Sequence, residues 1–326
     1  MPSVQHLVGV DIGGTKCAVS LARWDGKELK ILDKVPFPTD VGKGPQPTLD
    51  AVLEAVASLL SGHGLEPSGV SGIGISCGGP LDSEAGVILS PPNLVGWDCI
   101  PIVDIVERRF AIPTRLQNDA NACCLAEWRF GVAKGCKNVI FLTFGTGMGA
   151  GIILDGKLYG GTNGMAGEIG HVRLEDHGPV GYGKEGSFEG FCSGAGLAQL
   201  AATKALEKFQ RGESVSFCPS VDDLPRLSAK SVAEAALGGD PVALEVYRTS
   251  GRKLGRGLAL LVDLLNPQII VIGSVFSRSR DLLWPSVQAT LEAEALPRSL
   301  AVCSIVADEL GDELGDYGAL AVALTT

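Results

Sequence analysis

Strand-type and helix-type segments alternate along this chain in two similar halves, which predicts a two-lobed protein of mixed strands and helices with a cleft between the lobes. Two observations carry that expectation. The chain has 326 residues, more than one hydrophobic core usually serves, so two domains of roughly 150 residues follow. A strand, a glycine turn and a second strand occur at the start (LVGVDI, Gly13-Gly14, CAVSL) and again midway (NVIFLTFGTGMGAGIILDGKLY).

The elements follow in order. Residues 7–12 and 17–21 are short β-prone runs around Gly13-Gly14, a hairpin whose turn exposes backbone N–H groups. A third run lies near Lys30–Phe37, and Gln46–Leu60 has helical spacing of Leu49, Val52, Leu53, Val56 and Leu60. GVSGIGISCGGP reads as a buried strand ending in glycines. Ile102–Phe110 reads as a helix, IPTRLQ as a strand running into Asn118-Asp119, and Ala120–Phe130 as the next helix. After the second hairpin, residues 161–195 are glycine-rich and irregular, and a loop of that length in a compact domain is expected to be functional. From Ala198 to about Leu310 the pattern is helical, broken by the strand PQIIVIGS, and the chain ends on a small-residue helix, YGALAVALTT.

Composition excludes several classes. The chain is 45% hydrophobic and 20% charged, and no run approaches the roughly 18 apolar residues of a membrane span. Its start has no basic, apolar, small-residue order of an export signal, so a cytoplasmic location is expected. Nine cysteines are scattered without C-x-x-C spacing, mostly in apolar stretches, which argues against a disulfide framework. A net charge of −10 with dispersed basic residues argues against a nucleic-acid partner. A small-molecule substrate is expected.

Four motifs carry chemistry. In Asp11-x-Gly13-Gly14-Thr15-Lys16 a glycine turn lets backbone approach a phosphate, with donors from N–H groups and the Thr15 hydroxyl, while Asp11 can hold hydrated Mg²⁺. An ordinary hairpin turn would look the same. Gly145-Thr146-Gly147-Met148-Gly149-Ala150-Gly151 also follows an apolar strand, and its alternating glycines leave one side bare for a polyphosphate. It is neither a Walker A loop nor a dinucleotide fingerprint. Asn118-Asp119-Ala120-Asn121 places a carboxylate at a strand-to-helix junction, where it could accept a proton from a sugar hydroxyl or simply cap the helix. Glu168 and His171, three apart in Gly167-Glu168-Ile169-Gly170-His171, could project the same way toward neighbouring hydroxyls, with Glu189 further along.

Taken together and in order, VGVDIGGTK, SCGGPLD, NLVGW, QNDANACCLAEWRFG, FGTGMGAGIILDGKLYGGTNGMAGEIGHV and EGFCSG resemble the ROK family of sugar kinases and sugar-responsive repressors. The resemblance implies an α/β, actin-like ATPase (ribonuclease H-like) fold with ATP and sugar between two lobes. A small lobe, 1–117, would be closed by a C-terminal helix at about 311–326, and a large lobe, 118–310, would carry the sugar loop 161–195. Asp119 matches the catalytic base. Asn118, Glu168, His171 and Glu189 match sugar-hydroxyl ligands, with Asn93 and Gly79 near the sugar. Asp11, Gly13, Gly14, Thr15, Lys16, Thr146, Gly147 and Gly273 match nucleotide-binding positions, and a homodimer is implied.

Two departures stand out. The family usually carries C-x-C-G-x-x-G-C-x-E after the histidine, holding zinc through three thiolates and the position of His171. Here Val180, Tyr182 and Ser187 stand where the cysteines would be, so no zinc site is expected. Ser274 and Val275 stand where glycines usually lie beside the adenosine. The implied reaction is ATP-dependent phosphorylation of a hexose, glucose first, with N-acetylglucosamine, N-acetylmannosamine or fructose as alternatives. A sugar-sensing regulator without catalysis is the different class. The first strand starts by about Leu7, leaving no room for a preceding DNA-binding domain in this sequence.

Overall fold

The computed structural model describes residues 4–325. Its elements are β1 (Gln5–Ile12), β2 (Lys16–Trp24), β3 (Leu29–Pro38), α1 (Pro45–Gly62), β4 (Val70–Cys77), α2 (Ile102–Phe110), β5 (Thr114–Asn118) and α3 (Asp119–Arg129). Then come β6 (Val139–Leu142), β7 (Ala150–Leu154), a small hairpin of β8 (Val180–Gly181) and β9 (Lys184–Glu185), and the single turn α4 (Phe188–Phe191). The helices α5 (Gly194–Gln210), α6 (Ala229–Leu237) and α7 (Pro241–Leu265), strand β10 (Ile269–Ile272), helix α8 (Val275–Glu294), strand β11 (Ser304–Ala307) and helix α9 (Leu314–Ala323) follow, and shorter strands and turns lie between these main elements.

The chain forms two units. The first holds the chain up to Gly135, together with Lys157–Ala166 and everything from Glu309 onward; the second holds Cys136–Gly156 and Gly167–Asp308. The first boundary lies beyond 117 because α3 packs along α9, which also covers β1 and β4.

In the first unit the sheet order is β3-β2-β1-β4-β5, antiparallel at its first two pairings and parallel at the others. Strands β1 and β4 are almost wholly apolar and buried, as strands covered on both faces must be. Helix α1 places Leu49, Val52, Val56, Leu59 and Leu60 on its buried stripe, and these pack with Val8, Val10, Val19, Ile73 and Ile75 in one core. On the other face α9 lies almost flush on β4. A Cβ at Gly74 would stand 2.0 Å from the Ala319 carbonyl oxygen, so only glycine permits this approach.

In the second unit β7 pairs antiparallel with β6, β6 parallel with β10, and β10 parallel with β11. The sequence of pairings repeats that of β2, β1, β4 and β5, the duplication suggested by the two glycine hairpins. The core gathers Phe144, Phe188, Tyr247, Leu254, Leu258 and Phe276 between sheet and helices. Two features differ from expectation. Strand β11 was hidden in a region read as helical, because it is four residues long and only half-buried. The segment read as irregular contains the β8–β9 hairpin and α4, both too short to leave a periodic trace. Among the described residues no helix is long and apolar enough to cross a membrane.

Candidate functional site

In the first unit the parallel strands β1, β4 and β5 end together. Asp11 pairs with Ser76, and Cys77 pairs with Asn118. Ligands of open α/β sheets gather at these carboxyl ends, and the expected residues do so here. The turn after β1 is closed by the Gly13 N–H donating to the Lys16 carbonyl, 3.1 Å. The N–H groups of Gly14 and Thr15 donate to no acceptor among the described residues, and the Thr15 and Lys16 side chains are exposed. Asn93 packs against the turn, since a Cβ on Gly14 would meet its side chain at 2.8 Å.

Asp11 is half-buried, and its carboxyl pKa is pushed up to about 6. Burial is the largest cause, followed by the negative charges of Asp316 and Asp119, with the Ser76 hydrogen bond and Lys34 opposing. Asp316 is itself buried and is held by the Ser20 hydroxyl, 2.7 Å, and the Lys34 ammonium. Three carboxylates thus share one region. Their charges act on one another without forming a metal cage, and Asp11 is the member placed beside the glycine turn, where a single carboxylate can hold a hydrated cation through water.

Asp119 is the first residue of α3. The cap is its neighbour: Asn118 is extended, and its side-chain oxygen accepts the Ala120 N–H at 2.9 Å. Asp119 Oδ1 also accepts that N–H, at 2.8 Å. Desolvation raises the Asp119 carboxyl pKa from its ordinary value, although the residue is exposed by accessible surface. Gly78 and Gly79 border this pair, with a Cβ on Gly79 predicted 3.2 Å from Asn118 Nδ2.

In the second unit the turn after β6 is tied down from several sides. The Gly145 N–H donates to the Gly147 carbonyl, 3.1 Å, and the Gly149 N–H to the Thr143 hydroxyl, 2.8 Å. The Gly194 N–H, at the start of α5, donates to the Gly145 carbonyl, 2.7 Å. The N–H groups of Thr146 and Gly147 are left without an acceptor among the described residues. This is the same provision as at Gly14 and Thr15, and it suits anionic oxygens.

Glu189 sits on α4 and its Oε2 accepts the Met148 N–H, 2.9 Å. A side chain at Gly147 would collide with that oxygen, at 2.8 Å. The carboxylate therefore links the sugar-type loop to the glycine turn. Glu168 and His171 flank a single 3-10 turn in which the His171 N–H donates to the Glu168 carbonyl, 3.1 Å. Gly273 ends β10 with its N–H on the Leu142 carbonyl, 3.0 Å.

Ser274 follows with φ 60 and ψ −110, a conformation that strains any residue with a side chain. Ser274→Gly should raise the urea midpoint by an amount equivalent to about 1 kcal/mol. A fall in the midpoint would show that the hydroxyl matters more than the strain.

Three residues were missed by sequence reasoning. Ser76 and Asp316 set the charge of Asp11 from β4 and α9, positions linked only by folding. Glu127, on α3, is fully buried, its Oε1 accepting the Glu309 and Leu310 N–H groups (2.9 and 3.1 Å) and its Oε2 that of Val132 (3.0 Å). The only trace of it in the sequence is a charge between apolar residues.

A family model described as "ROK family" matches residues 7–326. A glucokinase of Halalkalibacterium halodurans is 34% identical over 313 residues, covering 95% of this chain and 92% of that protein. The crystal structure of a ROK family glucokinase from Streptomyces griseus in complex with glucose and AMPPNP has a TM-score of 0.76 at 32% identity, covering 98% of this chain and 99% of that one. A xylose repressor of Caldicellulosiruptor bescii is 27% identical, covering 99% of this chain and 79% of the repressor.

Proposed function

The chain belongs to the ROK family, with its α/β, actin-like ATPase fold, and from that premise we propose that it transfers the γ-phosphate of ATP to a hexose hydroxyl, glucose first. Asp119 carries this reading. The capping bond to Ala120 is already available from the Asn118 amide oxygen, so the helix does not require a carboxylate there. Desolvation makes Asp119 a stronger base than an ordinary aspartate, which suits it to accept the proton of a hydroxyl as that oxygen attacks phosphorus.

The remaining roles follow from the chemistry of each group. Asn118, with Asn93 and Gly79 on the same unit, takes sugar hydroxyls, as do Glu168, His171 and Glu189. The N–H groups of Gly14, Thr15, Thr146 and Gly147 receive phosphate oxygens, Lys16 adds a positive charge, and Gly273 leaves room for the nucleoside. Asp11 would hold hydrated Mg²⁺, which when bound neutralises charge on the phosphate oxygens. The glucokinase relatives support phosphoryl transfer. The repressor relative favours a second reading, in which sugar is bound but not phosphorylated.

A coupled assay of ADP release, run with glucose, fructose, mannose, N-acetylglucosamine and N-acetylmannosamine, separates the two. Stimulation by glucose above the others is expected. Sugar binding by calorimetry with no sugar-stimulated ADP release would replace the kinase reading with the sensing one. We also propose a homodimer, which light scattering in solution tests.

A further inference from the structure

The family's structural zinc needs three thiolates beside the position of His171, and the residues here do not fit it. Val180, Tyr182 and Ser187 offer no sulfur, and among the described residues no group of three or more His, Cys, Asp or Glu side chains is placed to hold a metal ion.

Each of the three positions instead makes a protein contact. The Val180 N–H donates to Gln199 Oε1 and the Val180 carbonyl accepts from Gln199 Nε2, both at 2.9 Å, fastening β8 to α5. Ser187 is fully buried and its hydroxyl accepts the Gly190 N–H, 3.1 Å, capping the turn that carries Glu189. Tyr182 is the most informative. With Gly183 it forms the two-residue tip of the β8–β9 hairpin, and both have positive φ, +43 and +74. Such tips favour Asn, Asp or Gly at the first position, because a larger side chain is strained there.

A strained residue invites a functional question. The Tyr182 ring stands edge-on to the His171 imidazole, centroids 5.1 Å apart at 82°. Two residues on, Lys184 Nζ donates to the His171 carbonyl at 2.8 Å. The hairpin therefore grips His171 at its ring and at its backbone.

We propose that Tyr182 and Lys184 are positioning residues that hold His171 in its binding orientation without any metal. In family members with zinc the histidine would be fixed through its ring nitrogen. In this chain a ring contact and an ammonium fix it, and with no hydrogen bond to either ring nitrogen among the described residues, both can serve a ligand. The effect on sugar binding rests on the kinase reading; the effect on the imidazole does not.

The chain has four histidines, so imidazole signals of protein dialysed against chelator can be followed by NMR, with His171 assigned by His171→Gln. Tyr182→Gly removes the ring and relieves the backbone, so it should fold at least as well as wild type. It should move the His171 signal out of the tyrosine ring current, whereas Tyr182→Phe should leave it in place. Lys184→Met should broaden that signal. With glucose as the probe, Tyr182→Gly and Lys184→Met should each raise KM by about 10–100-fold with kcat within about threefold, and Tyr182→Phe should restore KM.

A His171 signal unchanged by Tyr182→Gly would overturn the proposal, as would near one equivalent of zinc in the purified protein or a chelator-induced shift of that signal. If wild type phosphorylated no sugar, the kinase reading would fall while the NMR comparison still decided this one.

Discussion

Replacing Asp119 with Asn should lower kcat for sugar phosphorylation by about 10²–10⁴-fold while the sugar KM stays within about threefold. Asparagine keeps the size of the side chain and an oxygen for the Ala120 N–H, and Asn118 caps α3 in either case, so the fold should be intact. What disappears is the ability to take a proton. A loss confined to kcat marks a group that acts in the transition state rather than in binding. A rate within about threefold of wild type would remove Asp119 from the chemistry. The same base sets a pH signature. Because desolvation raises the Asp119 carboxyl pKa, the acid limb of the kcat profile should lie at a higher pH than an unperturbed aspartate would give, and protonation there switches the base off.

Asp11→Asn should do the opposite to stability and to activity. In the folded protein the Asp11 carboxyl titrates at about 6 instead of 3.8, which corresponds to a penalty of up to about 3 kcal/mol at neutral pH. The sign follows from proton binding. Below about pH 3.8 both folded and unfolded chains carry the proton and there is no penalty; between there and about 6 the unfolded chain ionises first, and stability is lost as pH rises.

Loss of the Ser76 hydrogen bond offsets part of the gain, so the variant should be more stable than wild type by about 1–2 kcal/mol at pH 7.5, and slightly less stable than wild type near pH 4, where the penalty is gone and only the lost hydrogen bond remains. Urea unfolding at the two pH values measures it. Activity should fall, with half-maximal rate needing about 10–100-fold more Mg²⁺. An unchanged urea midpoint at pH 7.5 would mean that Asp11 feels no such penalty.

Much of this could be seen in the chain alone, and the limits have physical causes. The first hairpin, α2 and the strand-to-helix junction at Asn118-Asp119 were legible because local signals agree there: alternating apolar runs, a glycine turn and a capping residue. The duplication was legible because each glycine turn sits between two apolar strands in the same order. Strand β11 was not, since four half-buried residues carry no usable period. The charge environment of Asp11 was not either, because Asp316 comes from a segment about 300 positions away and meets it only through α9. Glu127 was hidden for the opposite reason. A buried carboxylate is rare enough that its residue type argues for the surface, and only the three backbone N–H groups around it explain its place.

Helix α9 covers β1 and β4, but the whole of the second unit, Cys136–Gly156 and Gly167–Asp308, intervenes between α3 and Glu309. During synthesis the unit begun first is therefore finished last. Until the final turns leave the ribosome, the strip of strand bared by Gly74 has nothing to cover it, and a nascent chain stalled before residue 309 would display a sticky apolar sheet to any passing chaperone.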